Sequence, residues 1–186
     1  MKKKIALRSF VAVEISSEKI IKLISKFQSE ININAKPIDP HKLHFTLQFL
    51  GETTQENVDR AIKSLNSIKF AGFMVNLKGL GVFPNLKFPK VLWIGTDKIG
   101  ASLLMELAKK VENALIPIGF SVDKPFKPHI TVFRIKNKIE NFGEELNKFE
   151  SVDFGNQEIT EFKLKQSVLS SKGSVYSDLS EVKAKI

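Results

Sequence analysis

The feature that most constrains this chain is a short pattern, His-x-Thr followed by an apolar residue, that occurs twice. The first copy is His44–Leu47 (HFTL) and the second is His129–Val132 (HITV), 85 residues apart in a chain of 186. Successive side chains of a strand point to opposite faces, so each copy presents an imidazole and a hydroxyl on one face and apolar groups on the other. A separation close to half the chain predicts two similar lobes that each contribute one copy.

The remaining elements interleave helical and extended patterns along the whole chain, which indicates a mixed α/β or α+β class. Ser16 or Ser17 is expected to cap the first helix, and Thr53 with Glu56 resembles a capping box for the second. Lys172-Gly173 marks a turn between the last two strands. We predict strands over 8–15, 43–50, 73–80, 91–95, 129–135, 160–169 and 175–179, and helices over 20–31, 53–65, 102–115 and, more weakly, 138–149.

Composition excludes several classes of protein. Hydrophobic residues make up 42% of the chain, enough for a core, and the absence of cysteine excludes disulfide scaffolds, thiolate zinc sites and cysteine nucleophiles. No apolar run approaches the roughly 18–20 residues that span a bilayer. The basic start, 1–7, lacks the apolar core of a signal peptide, so a cytoplasmic protein is expected. The formal charge of +9 fits either a solvated surface or a phosphate-rich partner.

Two imidazoles are suited to phosphodiester chemistry near neutral pH. A neutral histidine can take a proton from water while a protonated one donates a proton to the departing oxygen. Thr46 and Thr131, two residues from His44 and His129, would then hold the phosphoryl oxygens. The scheme requires no metal or other cofactor, and by itself it leaves open which histidine is the acid.

Structural roles are the alternative for each of these residues, since a lone His-x-Thr is a weak pattern. A metal site built on His41 and His44 lacks a nearby carboxylate cluster, and the i, i+3 spacing places these side chains on opposite faces of a strand, so His41 is expected in a loop. Tyr176 is expected to pack in a hairpin, with a place in the cleft as the alternative. Four other aromatic residues are expected to form core or cleft wall rather than base-stacking platforms. They are Phe45, Phe49, Phe83 and Trp93.

The two motifs, with their flanking segments 44–51 and 128–134, resemble the 2H phosphoesterase superfamily. Within it, the chain is similar to the RNA 2′,3′-cyclic phosphodiesterases, also called 2′-5′ RNA ligases. The resemblance extends over essentially the whole chain, through segments 8–13, 81–84, 89–95 and 166–176. Each segment alone is unspecific, whereas all of them in order around two His-x-Thr motifs are specific.

This resemblance implies a bilobal α+β fold with pseudo-twofold symmetry, in which two mainly antiparallel sheets flank a central cleft and helices lie outside. Residues 1–186 would form a single domain of two intertwined lobes. The implied reaction opens the 2′,3′-cyclic phosphate end of an RNA to a 2′-phosphate. By motif, His44 would protonate O3′, His129 would activate water, and Thr46 and Thr131 would bind the phosphate. Run in reverse with a 5′-hydroxyl end, the same pair would give 2′-5′ ligation without ATP.

Arg134 matches an arginine that commonly follows the second motif of this family. Simple alternation places it on the face opposite His129, so a bulge or strand-end twist would be needed to bring it into the cleft, and a structural ion pair is the alternative. Lys90 and Lys127 stand where the family often has arginine, which keeps the charge but loses bidentate phosphate geometry. Lys124, Lys127 and Lys136 would either guide an RNA backbone or be solvated.

Three functions therefore follow from the sequence. The first is hydrolysis of RNA cyclic-phosphate ends, on tRNA fragments for example, by a monomeric enzyme. The second keeps the site but takes a small cyclic nucleotide or a 2′-5′ oligonucleotide. The third is an RNA-binding module that holds such ends without turnover, although binding alone has little use for two groups that titrate near neutrality.

Overall fold

The computed structural model describes residues 7–122, 124–171 and 173–185. Lys172 of the predicted turn and the first six residues of the basic start lie outside the described residues. None of the described helices is long and apolar enough to cross a bilayer. The strands are β1 (Leu7–Glu14), β2 (Lys36–Pro37), β3 (His44–Thr53), β4 (Phe73–Phe83), β5 (Val91–Thr96), β6 (Ile130–Arg134), β7 (Asp153–Ile159), β8 (Glu161–Ser170) and β9 (Gly173–Lys183). The α-helices are α1 (Glu18–Glu30), α2 (Gln55–Leu65), α3 (Lys98–Leu115) and α4 (Phe142–Asn147).

The strands form one antiparallel sheet in the order β7-β4-β5-β6-β3-β1-β8-β9, with β2 attached to β6. At its centre β3 and β6 join through a single register pair, Phe45 with Ile130. The sheet therefore consists of a first half (β3, β1, β8 and β9) and a second half (β7, β4, β5 and β6), joined at the strands that carry the two motifs. The predicted α+β class is confirmed, and its two sheets are continuous at this narrow join.

The apolar faces of the helices build the core. On α1, Ile20, Ile24 and Phe27 are buried at helical spacing, as the sequence pattern predicts. The Phe27 ring contacts Phe133 and Phe154, so the helix that follows β1 packs onto the second half of the sheet. Helix α3 packs against β4 of the second half, β3 of the first half, and α2. These crossings tie the two halves to one continuous apolar core.

The helix caps follow the predicted chemistry with one shift. Ser17, one of the two predicted caps, caps α1 by accepting from the Ile20 amide. Asp97, which the sequence prediction does not include, caps α3 by accepting from the Gly100 amide, so this helix begins at Lys98 rather than at residue 102. The cap of α2 is Thr54 rather than the predicted Thr53, because the Thr54 hydroxyl accepts from the Asn57 amide while β3 continues through Thr53. Both threonines precede the same apolar pattern, so sequence alone does not separate them.

The strand β7 is absent from the sequence prediction. Its residues (DFGNQEI) are poor strand formers, and Gly155, in the left-handed region at φ 95°, interrupts the alternation. Pairing with β4 imposes the strand, because Phe154 and Ile159 bury their side chains while the ladder satisfies the backbone. Helix α4 is shorter than the predicted 138–149, and β4 extends through Phe83 into the predicted loop.

Candidate functional site

A cavity of about 670 Å³ lies over the join between the two halves of the sheet. His44 and Thr46 line it from β3, and His129 and Thr131 line it from the start of β6. The sequence therefore predicts correctly that each His-x-Thr pair shares a face, and the fold brings the two pairs into one cleft. All four side chains are partly exposed, while Phe45 and Ile130 between them are buried.

Each imidazole is held by the carbonyl two residues before it. Nδ1 of His44 lies 2.8 Å from the Lys42 carbonyl oxygen, and Nδ1 of His129 lies 2.6 Å from that of Lys127. A carbonyl oxygen only accepts, so Nδ1 donates in both cases and keeps its proton. The Nε2 atoms are therefore left to exchange protons with a bound group, and each ring is equipped to act as base or acid.

Aromatic rings support the two imidazoles from the sides. The His44 ring lies 5.1 Å from Phe10 and 5.6 Å from Tyr176 between centroids, and the His129 ring lies 5.0 Å from Phe83 and 6.2 Å from Trp93. Phe83 and Trp93 thus support the His129 ring from behind, and neither lines the cavity itself. For Tyr176 the alternative position in the cleft is the one observed, because its ring stands edge-on to His44 and lines the cavity.

The surroundings lower the proton affinity of both rings. Burial lowers the pKa of His44 below its ordinary value of 6.5, although the hydrogen bond to the Lys42 carbonyl partly offsets this. Burial likewise lowers the pKa of His129, with the Lys127 carbonyl opposing it. The charge of Lys165 further lowers the pKa of His44, whereas that of Glu14 raises it. Both rings are therefore poised to lose a proton readily.

A β-bulge decides where Arg134 lies. Phe133 pairs with Leu92 while Thr131 pairs with Trp93, so Val132 is an extra residue that shifts the alternation of β6 by one position. Arg134 consequently lines the same cavity as His129 and Thr131, rather than the opposite face that simple alternation predicts. No carboxylate in the described residues forms an ion pair with Arg134, which leaves its guanidinium available to an anion.

A matching bulge moves Phe49. Gln48 pairs with Val11 and Thr46 with Ala12, so Leu47 is the extra residue of β3. Simple alternation along β3 would place Phe49 on the buried face of Phe45, but the bulge reverses this: Phe49 is 66% exposed and lines the cavity, while Phe45 is fully buried. Spacing within a strand does not reveal such a bulge, because it depends on the neighbouring strand.

Further cations line the cavity that sequence reasoning did not select. Arg8 at the start of β1 and Lys42 before β3 both contribute, together with Ser167 and Ser174 from the last hairpin. Their positions in the sequence could have indicated them, because Arg8 begins the segment 8–13 that resembles the family and Lys42 stands two residues before His44. No acidic side chain is among the described residues that line the cavity, so its electrostatic character favours an anion.

Other candidates fall outside the cleft. His41 lies in a 3-10 turn (Pro40–Lys42), as expected for a loop residue, and does not line the cavity. Among the described residues, no group of three or more His, Asp or Glu side chains is arranged to hold a metal ion. Lys136 lines neither this cavity nor the groove beside it, whereas Lys124 and Lys127 line that groove.

Two inward-facing His-x-Thr pairs on a bilobal antiparallel sheet define the class of two-histidine phosphoesterases. The family described as the AKAP7 2′5′ RNA ligase-like domain matches residues 9–184. The chain therefore belongs to the 2′5′ RNA ligase-like family.

Individual relatives agree over nearly their full lengths. The chain is 39% identical over 175 residues to an RNA 2′,3′-cyclic phosphodiesterase of Archaeoglobus fulgidus, which covers 93% of this chain and 98% of that protein. It is 37% identical over 182 residues to an RNA 2′,3′-cyclic phosphodiesterase of Aquifex aeolicus, with 94% and 96% covered.

Solved structures share the fold. The crystal structure of TT0787 of Thermus thermophilus superposes with a TM-score of 0.76 at 30% identity, covering 95% of this chain and 97% of that one. Escherichia coli LigT complexed with 3′-AMP superposes with a TM-score of 0.78 at 22% identity, covering 98% of this chain and all of the other. The sequence resemblance to this family is therefore confirmed.

Proposed function

We propose that this protein hydrolyses the 2′,3′-cyclic phosphate ends of RNA to 2′-phosphates, with His44 and His129 as the acid–base pair. The observation that carries the proposal is the identical backbone anchoring of the two rings, in which each Nδ1 donates to the carbonyl two residues earlier. Two imidazoles with Nε2 free in one anion-favouring cavity are what an in-line displacement at phosphorus requires.

In the proposed reaction, His129 takes a proton from water as the water oxygen attacks phosphorus. The bond from phosphorus to O3′ breaks, and O3′ receives the proton of His44. The product carries a 2′-phosphate and a 3′-hydroxyl, His129 is left protonated and His44 neutral, and proton exchange with solvent restores the starting pair. The order of the two roles follows the family resemblance, since burial lowers the pKa of both rings.

The hydroxyls of Thr46 and Thr131 would hold the non-bridging oxygens, where negative charge grows during attack. Arg134, brought to the cavity by the Val132 bulge, would add a cation to the same phosphate group. A guanidinium offers two parallel donors to a phosphate, a geometry that a lysine in its place would lack.

We further propose a monomeric, cytoplasmic enzyme that acts on RNA fragments such as those of tRNA. The RNA 2′,3′-cyclic phosphodiesterase relatives, at 39% and 37% identity, support RNA as the substrate class. Hydrolysis of a small cyclic nucleotide by the same residues, and retention of RNA ends without turnover, are the outcomes that the following experiment separates.

The direct test incubates a short RNA with a 2′,3′-cyclic phosphate end, and separately a 2′,3′-cyclic mononucleotide, with the protein in H₂¹⁸O and identifies each product. We expect a 2′-phosphate with one ¹⁸O per turnover, because water is the nucleophile and O3′ the leaving group. A 3′-phosphate would overturn the proposed regiochemistry. Tight binding without any product would favour the end-binding module, and turnover restricted to mononucleotides would favour the small-substrate enzyme.

A further inference from the structure

A second depression adjoins the cavity of about 670 Å³, hereafter called the phosphate cavity, on the side of His129. We call it the lysine groove: it has a volume of about 930 Å³ and shares Thr46, Phe49 and His129 with the phosphate cavity. The groove runs between β3, the ends of β4 and β5, and the segment before β6. Its remaining walls include Phe83, Lys90, Lys124, Phe126 and Lys127.

The charge of the lysine groove has one sign. The side chains of Lys90, Lys124 and Lys127 are exposed, and none forms an ion pair with a carboxylate of the described residues. No acidic side chain is among the described residues of its wall, and Asp123, in the same segment, lies outside the described residues. Three ammonium groups that make no ion pair within the described ranges lie along one depression and complement a chain of phosphates.

Aromatic rings stand where the groove meets the cavity. Phe49 is 66% exposed and borders both, and Phe83 contacts the His129 ring while the Lys127 ammonium lies 5.9 Å from the Phe83 centroid. Phe49 is therefore exposed and Phe83 half-buried, and an exposed ring beside cations is a surface on which a base of single-stranded nucleic acid stacks. A mononucleotide held in the phosphate cavity alone would leave the lysines of the groove without a contact.

From these observations we infer that the lysine groove binds a single-stranded RNA backbone next to the reacting phosphate. The inference rests on the proposed function, because it treats the adjoining cavity as the site of the cyclic phosphate. The backbone belongs either to the strand that carries the cyclic phosphate or to a second strand whose 5′-hydroxyl takes the place of water. In that second case His129 accepts the hydroxyl proton, the new bond joins phosphorus to O5′, and O3′ leaves with the proton of His44.

The test compares Lys90→Gln/Lys124→Gln with the matched control Lys22→Gln/Lys63→Gln. The control removes the same charge from exposed lysines of α1 and α2 that line neither depression. The readout is kcat/KM for an oligoribonucleotide with a cyclic-phosphate end, divided by kcat/KM for a 2′,3′-cyclic mononucleotide. We expect the groove variant to lower this ratio about tenfold, and the control to leave it at the wild-type value.

Two further measurements complete the test. A ligation assay shows which strand occupies the groove, and a binding assay reports on the groove even without turnover. If only ligation to a strand with a 5′-hydroxyl falls, the groove holds the second strand. Binding of the same oligoribonucleotide is measured against salt, and the slope of log K on log[salt] should shrink by about 1.4 in the groove variant, at about 0.7 per lost contact. This arm still reports on the groove if wild-type protein turns over neither substrate, which would refute the proposed function alone. A hydrolysis ratio, ligation yield and salt slope all equal to those of the control would overturn the inference.

Discussion

The anchoring of the two imidazoles is the residue-scale basis of the proposed chemistry. A tautomer fixed by a backbone carbonyl leaves one nitrogen free in both protonation states, so the ring does not need to flip between steps. The Lys42 and Lys127 carbonyls belong to residues that precede each strand, so sequence spacing within the strands does not predict these bonds. It does predict which face carries each ring.

The lowered pKa values of both rings lead to a prediction about pH. The base must be neutral and the acid protonated in the same free enzyme, and burial lowers the pKa of His44 and His129 below 6.5. Because its pKa is lowered, the base remains neutral down to a lower pH. The acid, for the same reason, loses its proton at a lower pH, so both limbs of the profile move toward lower pH. We expect a bell-shaped profile of kcat/KM whose maximum lies on the acid side of 6.5. Measurement of kcat/KM from about pH 4.5 to about pH 8.5 checks this, and a maximum above about 7 would contradict it.

At the scale of the elements, the two bulges show why part of the site is not predictable from the sequence. His44, Thr46, His129 and Thr131 precede the bulges, so alternation assigns their faces correctly. Arg134 and Phe49 follow the bulges, so the same rule assigns theirs wrongly. The strand β7 is missed for a related reason, since its weak propensity is overridden by pairing with β4.

An ion cluster, in which the lysines are largely covered and the carboxylates are partly exposed, supports the strands of the first half of the sheet. The ammonium of Lys165 contacts Glu14 on β1 and Asp178 on β9, and Lys163 lies 2.8 Å and 3.0 Å from the same two carboxylates. Although burial opposes their charge, the lysines hold the pKa of both carboxyls below the ordinary range. Glu14 pairs with His44 across β1 and β3, so the cluster also fixes the strand beneath that ring.

Gly81 on β4 gives an element-scale prediction about the wall behind His129. It faces Trp93 across the β4–β5 pair, and a Cβ atom at this position would overlap the indole ring. We expect Gly81→Ala to lower the free energy of unfolding by about 1–3 kcal/mol and to reduce kcat, because Trp93 must move against His129. Urea unfolding and steady-state kinetics measure the two effects.

The matched control for this change is Gly143→Ala in α4. A Cβ atom there has open space, and alanine is favoured over glycine in a helix by roughly 0.5–1 kcal/mol. The control should therefore keep wild-type activity and gain slightly in stability. Wild-type stability and turnover in the Gly81→Ala protein would show that the indole does not support the site.

For the whole molecule, we propose that the two halves of the sheet form a single cooperative unit. Their strands join through one register pair only, but α1 packs onto the opposite half and the apolar core is continuous. The repeated motif and its spacing predict two lobes from sequence. The way in which the helices cross between them depends on packing of side chains that are far apart in the chain.

Unfolding in urea tests this proposal. Trp93, the only tryptophan, reports on the second half of the sheet, whereas far-ultraviolet circular dichroism reports on both halves. We expect the two signals to give coincident transitions, as a two-state unit does. Separate midpoints would show that the halves unfold independently.

The central claim is that His44 and His129 act as one acid–base pair, and replacement of each by alanine tests it most directly. Each single variant should lower kcat on a 2′,3′-cyclic phosphate about 10²–10⁴-fold, and His41→Ala, outside the cavity, should leave kcat unchanged. The double variant should lose little more than either single variant, because the two groups serve the same step. Near-normal turnover by either single variant, in protein that remains folded, would contradict the account.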